Sequence, residues 1–162
     1  MKTALIVVDI QNDYFAGGRF PLQNSDAALA NALHALAEAR QAGDVVVGVR
    51  HTAPTDGPFL AEGSAGAALH PAIAEALQGC VVVEKHQADS FLGTTLGQTL
   101  AASGVTAIRL AGMMTQHCIT HTAFSPEAAA LDVTIVGSAC AAPTKVISDV
   151  ALSGLAGRCT VV

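Results

Sequence analysis

The sequence has no tryptophan, a single tyrosine and no cluster of basic residues. Lys and Arg number 8 against 13 Asp and Glu, so the chain is mildly acidic and nucleic acid is not an expected partner. No apolar run approaches the roughly 20 residues that a membrane helix needs, so no membrane partner is expected either. The first residues, MKTALIVVDIQ, carry one lysine and a short apolar run that meets Asp9 too soon for a signal peptide. The four cysteines (Cys80, Cys118, Cys140, Cys159) are scattered without a CxxC pair. That excludes a zinc knot or dithiol redox motif and suits reduced thiols in a cytoplasm.

What remains is aliphatic. Hydrophobic residues make up 51% of the chain, enough for one large core in a single domain spanning 1–162. So apolar a chain is also expected to bury surface by self-association, as a homo-oligomer, either dimer or tetramer.

The apolar segments alternate between two periods. ALIVV (4–8), VVVGV (45–49), CVVVEK (80–85), VTAIRLAG (105–112), DVTIVGSACA (132–141) and RCTVV (158–162) read as strands. Unbroken apolar runs of this kind suit strands covered on both faces. Between them, Leu29, Leu33 and Leu36 follow Ser25, a plausible N-cap, at helical spacing. Leu92, Leu96 and Leu100 space a second helix, and VISDVALSGLAG reads as the last. Pro126 interrupts another helical pattern, so that helix kinks or restarts with Ser125 as cap. Residues 50–71, rich in Pro, Gly and Ala, form a long loop with at most one short helix near its end; loops of that length are often functional. The alternation predicts a three-layer α/β/α fold around a six-stranded parallel sheet.

In such sheets ligands bind beyond the carboxyl ends of the strands. Asp9 follows the first strand, Lys85 ends the third, and Cys118 lies just past the fourth, in the first turn of a helix. A thiol at a helix start is expected to have a lowered pKa, because the free N–H groups and the dipole there favour an anion. The three residues are the candidate catalytic group, with Cys118 as nucleophile.

At these residues the chain resembles the isochorismatase-like cysteine hydrolases, a superfamily of nicotinamidases, N-carbamoyl amide, ureidoacrylate and maleamate amidohydrolases, and isochorismatases proper. The resemblance runs from LIVVDIQNDYF through VRH and VVEKHQADSFLGTTL to GMMTQHCITHTA. It implies a catalytic Asp9, Lys85 and Cys118, and a cis peptide between Met113 and Met114. It further implies an oxyanion hole made by the backbone N–H groups of Met114 and Cys118. The implied reaction is cleavage of a C–N bond in a small amide or N-carbamoyl compound through a thioester on Cys118. The retained cysteine disfavours the alternative of isochorismate-type vinyl-ether hydrolysis. The third reading is a catalytically silent paralogue that binds a ligand, to which the intact triad is opposed. Metal-binding members carry an Asp and two His after the second strand. This chain offers His51 without the DxH pattern, so no metal and no cofactor are expected. The segment APTKVISD, between the fifth strand and the last helix, is shorter than usual, which would open one wall of the pocket or shift an oligomer contact.

The expected partner is therefore a small-molecule substrate. His51 and His86, at strand ends, are candidate substrate contacts, with Phe15, Tyr14 and Phe91 as pocket walls or core. Gln11 is placed with the pocket too, although it and Asp13 are expected to orient their loop rather than react. His117 is expected to line the pocket or support structure without facing Cys118, since adjacent helical residues point apart. His121 is expected to be a packed or exposed histidine, and Cys80, Cys140 and Cys159 core residues.

Overall fold

The computed structural model describes residues 2–162. Its centre is an all-parallel sheet of six strands: β1 (Thr3–Val8), β2 (Val45–His51), β3 (Val81–Lys85), β4 (Ala107–Met113), β5 (Asp132–Ala141) and β6 (Thr160–Val161). They lie in the order β3-β2-β1-β4-β5-β6. The helices are α1 (Ser25–Ala42), α2 (Pro71–Ala76), α3 (Leu96–Ala102), α4 (Thr120–Ala123) and α5 (Lys145–Ala156). Short 3₁₀ turns at Asn12–Tyr14 and Pro126–Ala130 and a π-helical turn at Thr115–Ile119 complete the connections.

β1 shows why the strands read as unbroken apolar runs. Leu5 and Val7 pack into one core with α1 and α2. Ala4, Ile6 and Val8 pack into a second core with Leu96 and Leu100 of α3 and Leu155 of α5. Alternate side chains serve opposite faces, and both faces are covered. The three-layer arrangement follows. β3 lies at the sheet edge, and there Val81 and Val82 are exposed.

Local chemistry explains several boundaries. α1 buries Ala28, Ala32, Leu36 and Ala39, a stripe of mostly small residues that lets the helix approach the sheet closely. It ends at Gly43, whose φ of 74° is the left-handed cap that glycine tolerates best. Its start differs from expectation. Ser25 is the first helical residue, and Asn24 (φ 62°) stands at the cap without a side-chain cap bond. The neighbouring Gln23 is held to the far loop: its N–H donates to the Ala142 carbonyl and its Oε1 accepts from the Lys145 N–H. The short connection before α5 is therefore tied down at the base of α1.

The second leucine helix also starts later than its spacing predicts. Leu92 is exposed, and helix α3 begins only at Leu96. Residues before it are taken up by local bonds. The Thr94 hydroxyl donates to the Ser90 carbonyl, and the Ser90 N–H donates to Thr122 Oγ1. At Pro126 the chain restarts: Ser125 Oγ accepts from the Glu127 N–H and Pro126 takes the first position of a 3₁₀ turn.

Two backbone features shape the end of the sheet. Asp9 has a φ of 52°, left-handed for a non-glycine residue, so the chain turns sharply as it leaves β1. Opposite it, Gly112 (φ 131°) lies so close to β1 that an added Cβ would run into the Val8 carbonyl. The Met113–Met114 peptide is cis.

Candidate active site

Four neighbouring strands each bring one residue to the same end of the sheet. β3 ends in Lys85 and β2 in His51, and these two are register partners. β1 leads into Asp9, whose N–H donates to the Val49 carbonyl and so extends the strand by one bond. β4 leads through Met114 into the π-helical turn that carries Cys118. The parallel order β3-β2-β1-β4 makes these residues neighbours although 109 positions separate Asp9 from Cys118.

Lys85 is the hub. Its Nζ lies 2.8 Å from Asp9 Oδ2, 3.2 Å from Cys118 Sγ and 3.2 Å from His51 Nδ1. It also donates to the carbonyls of Gln87 at 2.9 Å and Ala88 at 3.3 Å. Asp9, Lys85 and Cys118 are at most 2% exposed. An ammonium buried this deeply persists only with charge and hydrogen-bond partners around it. Burial pulls the Lys85 pKa down, but Asp9 and Cys118 outweigh it and the net value lies above that of an ordinary lysine. The lysine is therefore charged at neutral pH. Asp9 touches it as an ion pair, and neither carboxylate oxygen has a hydrogen-bond donor with good direction among the described residues. The carboxylate keeps acceptor capacity.

The thiol departs from expectation. Its pKa is not lowered but pushed up to about 12, first by burial, then by Asp9, with Lys85 opposing. The helix-start argument fails because the turn is short and π-helical and the sulfur is dry. Desolvation of a thiolate outweighs a partial dipole. In the resting site Cys118 is a protonated thiol beside a cation.

His117 also departs from expectation. Its Nδ1 lies 3.5 Å from Cys118 Sγ. The wider π-helical turn brings adjacent side chains together, which an α-helix would not do. The His117 ring is exposed and stacks edge-on against His121 at 5.2 Å. His121 itself is exposed, its Nδ1 2.8 Å from the His117 carbonyl oxygen. The pKa values of His51 and His117 are both lowered, chiefly by burial; Lys85 contributes to both and His121 to the second.

The remaining candidates divide. The Gln11 amide is consumed by backbone: its Nε2 donates to the carbonyls of His51 and Ala67, each at 2.7 Å, and its Oε1 accepts from the His51 N–H at 2.9 Å. That corrects its placement as a substrate contact, for it fixes His51 instead. Asp13 fixes the long loop. Its carboxylate accepts from the N–H groups of Arg19 and Leu60, at 3.0 and 2.6 Å, and leaves no room for a side chain at Gly66. His86 is exposed and turns its Nδ1 to the Thr52 carbonyl, 3.0 Å away, and not to the Lys85 cluster. Phe15 packs against His70 with the rings tilted and belongs to the α1 side of the core, whereas Phe91 shares a core with Cys118. Tyr14 is buried, and burial with the nearby Asp9 carboxylate keeps its hydroxyl protonated. Of the other cysteines only Cys140 is buried; Cys80 and Cys159 are half-buried.

Asp9, His51 and Cys118 each offer a donor atom, and these lie within 4.8 Å of one another. They do not fit a metal ion. Lys85 Nζ already sits within 3.2 Å of one atom from each, so the cation position is filled by the ammonium.

This geometry can be set beside known proteins. The Isochorismatase domain family model matches residues 3–162, and the chain belongs to that family, whose members are generally hydrolases. An uncharacterized isochorismatase family protein of Bacillus subtilis, YddQ, is 35% identical, over 92% of this chain and 83% of its own length. A probable inactive nicotinamidase of Arabidopsis thaliana is 31% identical, over 88% of this chain and 82% of its own. Among solved structures, nicotinamidase PncA from Bacillus subtilis superposes with a TM-score of 0.90, covering 99% of both chains at 23% identity, a likeness of fold.

Proposed function

We propose that the protein is a cysteine hydrolase that cleaves a C–N bond in a small amide or N-carbamoyl compound. The observation that carries this reading is the contact of Lys85 Nζ with both Asp9 and Cys118, all three dry, at the carboxyl end of the sheet. A thiolate formed beside the ammonium attacks the carbonyl carbon and displaces the amine, leaving a thioester. The backbone N–H groups of Met114 and Cys118 hold the oxyanion, a type of contact worth about 10²–10³ in rate in other enzymes. Asp9, with an acceptor oxygen to spare, takes the thiol proton, returns it to the leaving nitrogen, and then serves as base for the water that hydrolyses the thioester. Lys85 balances charge throughout and takes no covalent part.

The whole of 1–162 serves as one such domain in this reading, working in a reducing cytoplasm with its four thiols free. A homo-oligomer belongs to it too. The outer face of α5, where Val146 and Val150 are exposed beside the Lys145–Asp149 ion pair, supports self-association, which sedimentation velocity tests.

A silent ligand-binding paralogue is the second reading, favoured by the relative from Arabidopsis described as a probable inactive nicotinamidase. One assay separates the two: ammonia release from nicotinamide, maleamate, ureidoacrylate and N-carbamoyl amines, with Cys118→Ala as control. Release by the wild type and none by the variant is the expected result. No release from any of them, together with a Cys118 that alkylates more slowly than a free thiol, would replace the hydrolase reading with the silent one.

A further inference from the structure

Lys85 has no proton left for a substrate. Its ammonium already faces five acceptors: Asp9 Oδ2, Cys118 Sγ, His51 Nδ1 and the carbonyls of Gln87 and Ala88. A donor to the rest of a bound molecule has to come from another group, and the ring of His51 is placed to supply it. An ammonium offers protons and no lone pair, so the His51 nitrogen that meets it at 3.2 Å is the accepting one. Burial, then Lys85, lower the His51 pKa, so the ring is neutral at neutral pH and carries one proton. That proton is on Nε2.

Nε2 has no hydrogen-bond partner among the described residues, yet it is not one of the sealed, unpartnered polar atoms; the ring is half-buried and this edge is open. A ring nitrogen of His51 lies within 4.8 Å of Cys118 Sγ, so the donor belongs to the neighbourhood of the reacting sulfur. It is also held still. The Gln11 amide clamps the His51 backbone on both sides, donating to its carbonyl and accepting from its N–H. His86 and His121 are the opposite tautomer. Their Nδ1 atoms meet the carbonyls of Thr52 and His117, at 3.0 and 2.8 Å, so each neutral ring spends its N–H on backbone.

We infer that His51 is a specificity-determining residue, whose Nε2–H holds a hydrogen-bond acceptor that the substrate carries near its scissile carbonyl. The substrate class is then the amides that bear such an acceptor, a carboxylate or a ring nitrogen, over those that present only carbon there. The inference deepens the hydrolase reading and rests on it for the reaction, while its test reads binding without turnover. Because the same ring supports Lys85, losing it weakens every amide alike. What belongs to Nε2–H alone is the preference between two amides matched except for the acceptor.

The first measurement is the tautomer. Multiple-bond ¹H–¹⁵N spectra of the wild type at neutral pH are expected to show a bare Nδ1 and a protonated Nε2 for His51, and the reverse assignment overturns the inference. The second is affinity, by NMR titration in Cys118→Ala so that nothing is consumed. Nicotinamide is paired with benzamide, and succinamate with butyramide. The acceptor-bearing member is expected to bind about tenfold more tightly where the acceptor is neutral and about 10–100-fold where it is a carboxylate; whichever pair shows the preference names the acceptor. In His51→Phe on the same background the ratio is expected to fall to about one, and His51→Gln, which keeps an N–H, to restore part of it. A ratio near one in both pairs without His51 replaced, no measurable binding of either acceptor-bearing amide, or a ratio kept in His51→Phe overturns the inference. The tautomer and the first ratio stand as tests if His51→Phe does not fold. Ammonia release by the wild type is scored apart: a His51-dependent ratio with no amide hydrolysed supports the inference and sinks the hydrolase reading, and hydrolysis with a His51-independent ratio does the reverse.

Discussion

Cys118 and Cys140 make a controlled pair. Both are buried in the core on the same side of the sheet, and burial pushes both thiols to about 12. Cys140 has backbone partners alone, the Val136 carbonyl and Gly112, and shares its core with apolar side chains. Cys118 has an ammonium at 3.2 Å and an imidazole at 3.5 Å. Their burial is alike and their company is different. A raised resting pKa therefore does not distinguish an inert thiol from a candidate nucleophile. What distinguishes them is a charge placed to stabilise the thiolate once the proton has somewhere to go.

Replacing each cysteine in turn should break the pair most widely. Cys118→Ala is expected to lower amide hydrolysis by about 10⁴-fold or more, as loss of a nucleophile does elsewhere. Cys140→Ala should leave the rate within about threefold and cost about 1–2 kcal/mol in stability through lost packing. Ammonia release and urea denaturation read the two effects. Equal losses of activity would erase the distinction.

Lys85→Met removes the cation and makes Cys118 resemble Cys140. It leaves the Asp9 carboxylate buried and unpaired, which is expected to cost about 3–5 kcal/mol. Alkylation of Cys118 at neutral pH should fall to the level of Cys140. The double variant Asp9→Asn, Lys85→Met should recover much of the stability and none of the reactivity. Recovery of both would show that the ion pair supports the fold alone.

The sheet end was readable from sequence, and the environment of the sulfur was not. Asp9 and Lys85 follow unbroken apolar runs, and a strand end in a parallel sheet is where such residues meet. The order of strands that makes His51 their neighbour comes from tertiary pairing, which no local pattern in VVVGVRH encodes. The thiol is dry because it lies in a core shared with Phe91 and Leu96, which come from a separate segment. The contact between His117 and Cys118 depends on a π-helical turn that TQHCI does not announce. Leu92 failed for a related reason. Its helical spacing is real, but bonds from Ser90 to Thr122 and Thr94 hold that stretch in turns.

Alkali tests where the two thiols agree. An acid whose folded pKa is raised stabilises the fold fully below its unfolded value, and that stabilisation is lost as pH rises towards the folded value. Both thiols start from 9.0 and reach about 12, so stability should decline between those limits. Cys140→Ala should flatten that decline without touching the neutral-pH alkylation of Cys118. Denaturant midpoints at pH 8 and 10 measure it.

The smallest expected effect is on the acid side and separates the site from the plain core. His51 and His117 have lowered folded pKa values, so they bind protons less readily folded than unfolded. Stability is then complete above about 6.5 and declines as pH falls below it, levelling off only beneath the folded values. Both rings are partly solvent-screened, so the combined loss should stay below about 1 kcal/mol. His117→Gln should remove part of that acid slope and leave the alkaline decline intact. Cys140→Ala should do the opposite. If His117→Gln flattened the alkaline decline instead, the imidazole would be coupled to the sulfur's own ionisation.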